Sequence, residues 1–276
     1  MRSVLLRTVA DMSERPVALA REGRVATLTL HGAKAVNVMG RALVADLVRT
    51  LESLRADADL GLVVVSGPPG GSFQGGVDIA EMAHFDADAA REFITLLHQA
   101  CHGLRALPVP SIARIEGYCL GGGMELAAAC DLRLGASDSR YGMPEVQVGL
   151  PSVIEARLLP TLIGWGKTRE LLYRGHVIDA AEAQRIGFLQ ALATGEALDG
   201  VLSLWTDDIL RAEPAAIRRQ KRLIEGWLET APAVGIQASI DAFSETFHAH
   251  TTNERLAAFL ARKRPQKSNL DTPSGA

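Results

Sequence analysis

The chain has 276 residues, enough for one large domain or for a domain with an appendage, and in either case for a sizeable core. Its hydrophobic content of 47%, charged content of 22% and formal net charge of −3 describe an ordinary soluble globular protein, with no basic excess to serve a nucleic-acid surface. Cys101, Cys119 and Cys130 are odd in number and widely spaced, which fits reduced, buried thiols in a cytoplasmic protein better than a disulfide framework.

Residues 1–16 read as an N-terminal extension: the apolar part of MRSVLLRTVADMSERP is too short for a signal sequence, and Asp11 and Glu14 follow it. A core domain over 17–200 is expected next. VATLTL, Val25–Leu30, alternates and predicts a strand, and HGAKAVN after it is a loop carrying Lys34 and Asn37. Leu43, Leu47, Leu51 and Leu54 recur at helical spacing. LGLVVVSG is then a continuous apolar strand, the pattern of a parallel sheet covered on both faces. GPPGGSFQGGVDIAEM predicts a glycine-rich loop running into a short helix, with Val77 and Asp78 just past the glycines, where backbone N–H groups are available to a ligand. No Lys follows Gly75 or Gly76, so this is not a P-loop.

The next helix carries Phe93, Leu97, Ala100 and Leu104 on one stripe and ends at Pro108 and Pro110. Its segment His98-Gln-Ala-Cys-His102 has the spacing of a zinc-protease helix. Gln99 stands where that motif needs Glu, so no metal site is expected and both histidines are assigned to the polar flank. PSIARIEG predicts a strand leading into GYCLGGGMELAAACDLRLGAS. Gly121, Gly122 and Gly123 let the backbone approach a ligand closely, and the helix they open aims its free N–H groups and positive dipole end at developing negative charge. Leu126 occupies the last position of a dinucleotide fingerprint counted from Gly121, which excludes that motif. Glu125, a carboxylate among residues suited to burial, is either a candidate site residue or a first-turn dipole glutamate. SRYGM predicts a short strand, and Glu145 follows in a loop beside Pro144.

From Trp165 the pattern turns helical and no further strand is expected. Asp179 caps DAAEAQRIG, EPAAIRRQKRLIEGWLE follows, and Ile236, Ile240, Phe243 and Phe247 form an apolar stripe suited to burial against another subunit. The C-terminal helical region is read as 201–265 and the tail 266–276 as disordered. No apolar run is long enough to span a membrane.

From Val25 to Pro265 the chain resembles the crotonase superfamily, the enoyl-CoA hydratase/isomerase fold. The likeness is carried by FQGGVDIAEM, PSIARIEGYCLGGGMELAAACDLRLGA and SRYGMPEVQVGL in that order, with HVIDAAEAQRIGF and AFLARKRP behind them. It implies an α/β crotonase-like fold: a repeated ββα superhelical core with a C-terminal helical region that mediates trimerisation, often as a dimer of trimers. It also implies an acyl-CoA thioester substrate, with coenzyme A part of that substrate and no metal or redox cofactor.

The family's oxyanion hole carries over to the backbone N–H groups of Val77 and Gly122, and its two hydratase glutamates to Glu125 and Glu145. The implied roles are proton exchange at C2 for Glu145 and handling of the water that attacks C3 for Glu125. The resemblance further assigns Lys34, Ala35, Gly75, Asp78, Ile79 and Gly121 to CoA or substrate contacts, with Phe259 and Arg262 reaching the adenine end from a neighbouring subunit. The chain departs from the family pattern at three places. Val77 stands where alanine is common, Ala80 where lysine is common, and PSVIEA replaces a G-A-G-G segment, one residue shorter, with Ser152 near the position that assists the water.

Hydration of a trans-2-enoyl-CoA is therefore the expected function, by a lyase. Isomerisation, thioester hydrolysis and non-catalytic CoA binding are the rivals. Glu155, which the resemblance does not supply, is either a third carboxylate near the site or the solvent-facing first turn of a helix.

Overall fold

The computed structural model describes residues 15–247 together with 252, 254–256, 258 and 261. Phe259, Arg262, the tail 266–276 and most of the 1–16 extension lie outside the described residues. The described chain divides into two compact units after Lys221.

The first unit is built on a six-stranded sheet ordered β1-β2-β3-β4-β6-β9. β1 (Val17–Glu22) and β2 (Val25–Leu30) form an antiparallel hairpin at one edge; the remaining neighbours, β3 (Leu62–Ser66), β4 (Ser111–Ile115), β6 (Leu132–Ala136) and β9 (Ala191–Ala193), pair in parallel. β1 left no strand signature in the sequence because, as an edge strand, it buries Val17 alone. Every residue of β3 is buried, and its alternate side chains serve the two faces of the sheet. Val63 and Val65 join the main core with α1 (Arg41–Arg55) and, after the short α2 (Ile79–Met82), α3 (Ala87–Arg105). α1 and α3 present Leu43, Leu47, Leu51, Phe93, Leu97 and Leu104 there, the stripes expected from their helical spacing.

Leu62 and Val64 join a second cluster with Ile112, Leu134 and Leu198. A smaller three-stranded sheet sets β5 (Tyr118–Leu120) parallel to β7 (Arg140–Gly142), which pairs antiparallel with β8 (Val177–Asp179). Between β5 and β6 lies α4 (Gly122–Ala129), all eight residues of which are buried.

Two expectations are corrected. Strands do continue past Trp165: β8 follows α5 (Leu159–Arg174), and β9 follows α6 (Ala180–Arg185). Each has only three residues, too few for a periodic signal, and exists because a neighbouring strand supplies the hydrogen bonds. The core unit also runs beyond residue 200. α7 (Gly195–Arg211) places Leu198, Val201, Leu202 and Trp205 against the otherwise uncovered face of the sheet, so the unit ends within α8 (Pro214–Glu229).

The second unit contains the end of α8 and α9 (Pro232–Thr246). Trp227, Pro232, Gly235, Ile236, Ile240 and Phe243 line an apolar groove of about 610 Å³, and the Trp227 indole N–H donates to Ser239 Oγ at 3.0 Å.

Candidate active site

Two glycine-rich loops and two carboxylates predicted from separate stretches meet at one cavity. Val77, Gly122, Glu125 and Glu145 all line a pocket of about 390 Å³, whose remaining wall is mostly apolar: Met82, Phe85, Phe93, Ile94, Leu97, Leu150 and Val153, with the exposed Arg91 among them.

Local bonding explains why the two amides are free. Asn37, in the left-handed region at φ +58, turns the loop after β2 inward and donates from Nδ2 to the carbonyls of Leu30, Ser72 and Phe73 at 3.0, 2.9 and 2.8 Å. That fastens the 31–38 loop to the loop ending at Val77. Met39 then pairs with the same loop through residues flanking Val77: Met39 N–H donates to Gly76 O and Asp78 N–H to Met39 O, both at 2.8 Å. The Val77 N–H is passed over by this bridge. The Gly122 N–H is one of the first of α4 and has no helical acceptor. Neither amide donates to a protein acceptor among the described residues. The Val77 side chain packs over Gly122, since a Cβ there would sit 3.2 Å from Val77 Cγ1.

The small sheet brings the second glutamate into place. β5 and β7 run side by side, and Gly121 N–H donates to Gly142 O at 2.8 Å, so the start of α4 lies against the Met143–Glu145 segment. Glu145 opens a one-turn helix, Glu145–Val148, rather than lying in an open loop. Gly121 and Glu145 are so close that a Cβ on Gly121 would stand 2.8 Å from Glu145 Oε1. Gly122 and Glu125, three apart on α4, share a helix face.

The PSVIEA segment, the largest departure from the family pattern, supplies a hydrogen bond to each carboxylate. Ser152 Oγ donates to Glu145 Oε2 and Ala156 N–H donates to Glu125 Oε1, each at 3.0 Å. Glu155 is buried, not solvent-facing: it is 2% exposed in a one-turn helix, Ile154–Leu158, with Oε1 2.9 Å from His98 Nδ1. His98 therefore does not merely lie on a polar flank. The sequence singled it out through its spacing to His102, and nothing local announced its partner. Ala156 carried no signal either, because its contribution is a backbone N–H.

The two carboxylates hold protons unequally. Burial pushes Glu125, 4% exposed, up to about 8, against the opposing Ala156 N–H and with added repulsion from Glu145 and Glu155. Glu145 is also raised by burial, but its own backbone N–H and the Ser152 hydroxyl work the other way. Burial thus favours the protonated form of Glu125.

Lys34, Ala35, Gly75, Asp78 and Ile79 are not among the residues that line this cavity, and Asp78 lines a separate pocket with Gly40, Arg41 and Glu81. Lys34, at φ +62, pairs with Asp78 at 2.6 Å, and Asp78 Oδ1 also accepts from Ala80 N–H to cap α2. Ala35 and Ile79 are exposed beside them, and Gly75 is where the 34–37 loop approaches so closely that a Cβ would stand 2.5 Å from Val36 O. Among the described residues, no three His, Cys, Asp or Glu are arranged to hold a metal ion.

Comparison with known proteins identifies the family and the fold. The family model for enoyl-CoA hydratase/isomerase matches residues 20–269. A crotonyl-CoA hydratase of Syntrophomonas wolfei is 31% identical over 92% of this chain and 98% of its own length. Among solved structures, Pseudomonas aeruginosa DspI superposes with a TM-score of 0.85 at 31% identity, covering 91% of this chain and 96% of that one. An enoyl-CoA hydratase of Mycobacterium smegmatis superposes with a TM-score of 0.87 at 26% identity, covering 92% and 99%. With a family model matched over residues 20–269 and a relative 31% identical over 92% of it, the chain belongs to the enoyl-CoA hydratase/isomerase family.

Proposed function

We propose that the protein is a hydro-lyase that reversibly adds water across the 2,3 double bond of a trans-2-enoyl-CoA. The observation that carries this is the meeting of two unbonded backbone N–H groups and two carboxylates of unequal proton affinity in one apolar cavity. In this reading the thioester oxygen accepts from Val77 and Gly122 N–H as it gains charge. In the dehydration direction ionised Glu145 takes the C2 proton while protonated Glu125 gives its proton to the departing hydroxyl. Hydration runs the same steps backwards, from a protonated Glu145 and an ionised Glu125. In this reading one proton serves both directions; the raised affinity of buried Glu125 favours it there, the starting state for dehydration. The name of the Syntrophomonas relative supports a short enoyl chain, and the Phe85, Phe93, Ile94 and Leu97 wall suits an apolar one.

Lys34 and Ala35 are assigned to the CoA nucleotide, with Phe259 and Arg262 reaching it from a neighbouring subunit. The reaction as proposed requires no metal or redox cofactor. Three buried free thiols fit a reducing, cytoplasmic compartment. Incubation with crotonyl-CoA should remove the ultraviolet absorbance of the conjugated thioester without releasing free thiol. Released thiol would instead identify a hydrolase, and unchanged absorbance would end the hydratase reading.

The same reading makes the protein a homotrimer or a dimer of trimers. Within the C-terminal unit Ile236 and Phe243 are 62% and 70% exposed, along an apolar face that a monomer would leave in water. Light scattering should report three or six chains, and deletion after Asn253 should lower that number. A stable full-length monomer would refute the assignment.

A further inference from the structure

We infer that His98 and Glu155 form a positioning pair that acts through Glu125 to hold the shared proton on that residue; the inference rests on the hydratase reading above. Three observations meet at the Ile154–Leu158 turn. Ile154 has φ +38, a region where a β-branched residue is strained, so the surrounding contacts must hold the turn in place. Besides the packing of Ile154, Ala156 and Leu158 against the main core, two polar contacts tie the turn to other elements: Ala156 N–H on Glu125 Oε1, and His98 Nδ1 against Glu155 Oε1. Glu155 Oε2, buried, has no hydrogen-bond partner among the described residues.

A merely structural residue here would be served as well by a glutamine or an apolar side chain, because a buried carboxylate oxygen without a donor costs stability. Keeping a carboxylate in that position places negative charge one residue from the amide that binds Glu125. The neighbours do little to neutralise it. From α3 the turn meets His98 and the buried thiol of Cys101, which is pushed up by burial and then by Glu155 and Glu125. From α4 it meets Glu125, and Glu145 lies on the preceding turn. Arg157, on its own turn, is exposed, as is Arg91 on the cavity wall.

In this inference His98 is in the tautomer that donates from Nδ1, and the contact at 2.9 Å keeps Glu155 turned inward. With the pair intact, ionising Glu125 means placing a second negative charge beside the first, so the proton stays. To burial, the opposing Ala156 N–H and the repulsion of Glu145, the pair adds a further contribution from a residue outside the cavity wall.

The test uses Glu155→Gln, His98→Ala and His98→Asn in the full-length protein. The first readout is the alkaline limb of kcat/KM for crotonyl-CoA. The second needs no turnover: the carboxyl titration of Glu125 followed by carbon NMR or infrared spectroscopy in a Glu145→Gln background. Glu155→Gln should move both to lower pH by about half a unit or more. His98→Ala should do the same by freeing Glu155 to turn outward, while His98→Asn, which still offers a donor, should remain close to the parent protein. If Glu155→Gln does not fold, the two His98 variants decide. Titration unchanged in all folded variants would reduce the pair to a structural contact. An inactive parent protein would remove the hydratase reading, yet the spectroscopic titration would still decide whether the pair acts on Glu125.

Discussion

Glu125→Gln and Glu145→Gln are each expected to lower kcat by roughly two to four orders of magnitude while CoA-ester affinity changes little. Each substitution removes one of the two proton carriers that addition and elimination of water require, but leaves the Val77 and Gly122 amides and the apolar wall intact. The two variants should differ in stability. In Glu125 the folded-state carboxyl is raised from 4.5 to about 8, so between those values the native state binds a proton that the unfolded chain has released. Stability therefore falls as pH rises through that window, and the loss is complete above the folded value. Glu125→Gln should consequently melt higher than the parent protein at pH 9 and nearly equal to it at pH 4. Thermal melts across pH, read beside turnover, would separate a catalytic carboxylate from a structural one. A variant that keeps parental turnover removes that residue from the mechanism.

Gly121→Ala should be nearly as damaging to turnover, with kcat falling by about 100-fold, because displacing reacting groups by about 1 Å is enough for such a loss. Gly121 has φ +51 and ψ −123, a conformation closed to residues with a side chain, and its added Cβ would stand 2.8 Å from Glu145 Oε1. Its carbonyl also accepts from Met124 and Glu125, so any shift moves the start of α4, the Gly122 amide and Glu145 together. Gly70→Ala is the matching control. It too has positive φ, +69, but nothing stands within 4 Å of its Cβ, so it should cost about 1 kcal/mol of stability and leave kcat unchanged. Parental turnover in both variants would overturn the prediction, and an equal loss in both would show that the glycine conformation, and not its distance from Glu145, is what matters.

Much of the core was readable before any coordinates. β2, α1, β3, α3, β4 and α4 follow from apolar periodicity and from the glycine and proline residues that bound them, because burial of one face is a local property repeated along the sequence. The two loops that face the cavity were also legible, since runs of glycine mark places where backbone can face a ligand, while the choice of the Val77 and Gly122 amides came from the family resemblance. β8 and β9 were not legible, and neither was the covering of the sheet by α7. A three-residue strand has no period of its own, and a helix stripe does not say which face it will cover.

What the sequence alone determined, then, is the set of elements, the two glycine loops, and the presence of glutamates at positions 125 and 145. Tertiary structure decided how deeply each carboxylate is buried and which groups stand beside it. Ser152, Ala156, His98 and Glu155 act through hydrogen bonds and burial between segments far apart in the chain, and proton affinity depends on the local dielectric and on neighbouring charges, which only the packed molecule brings together.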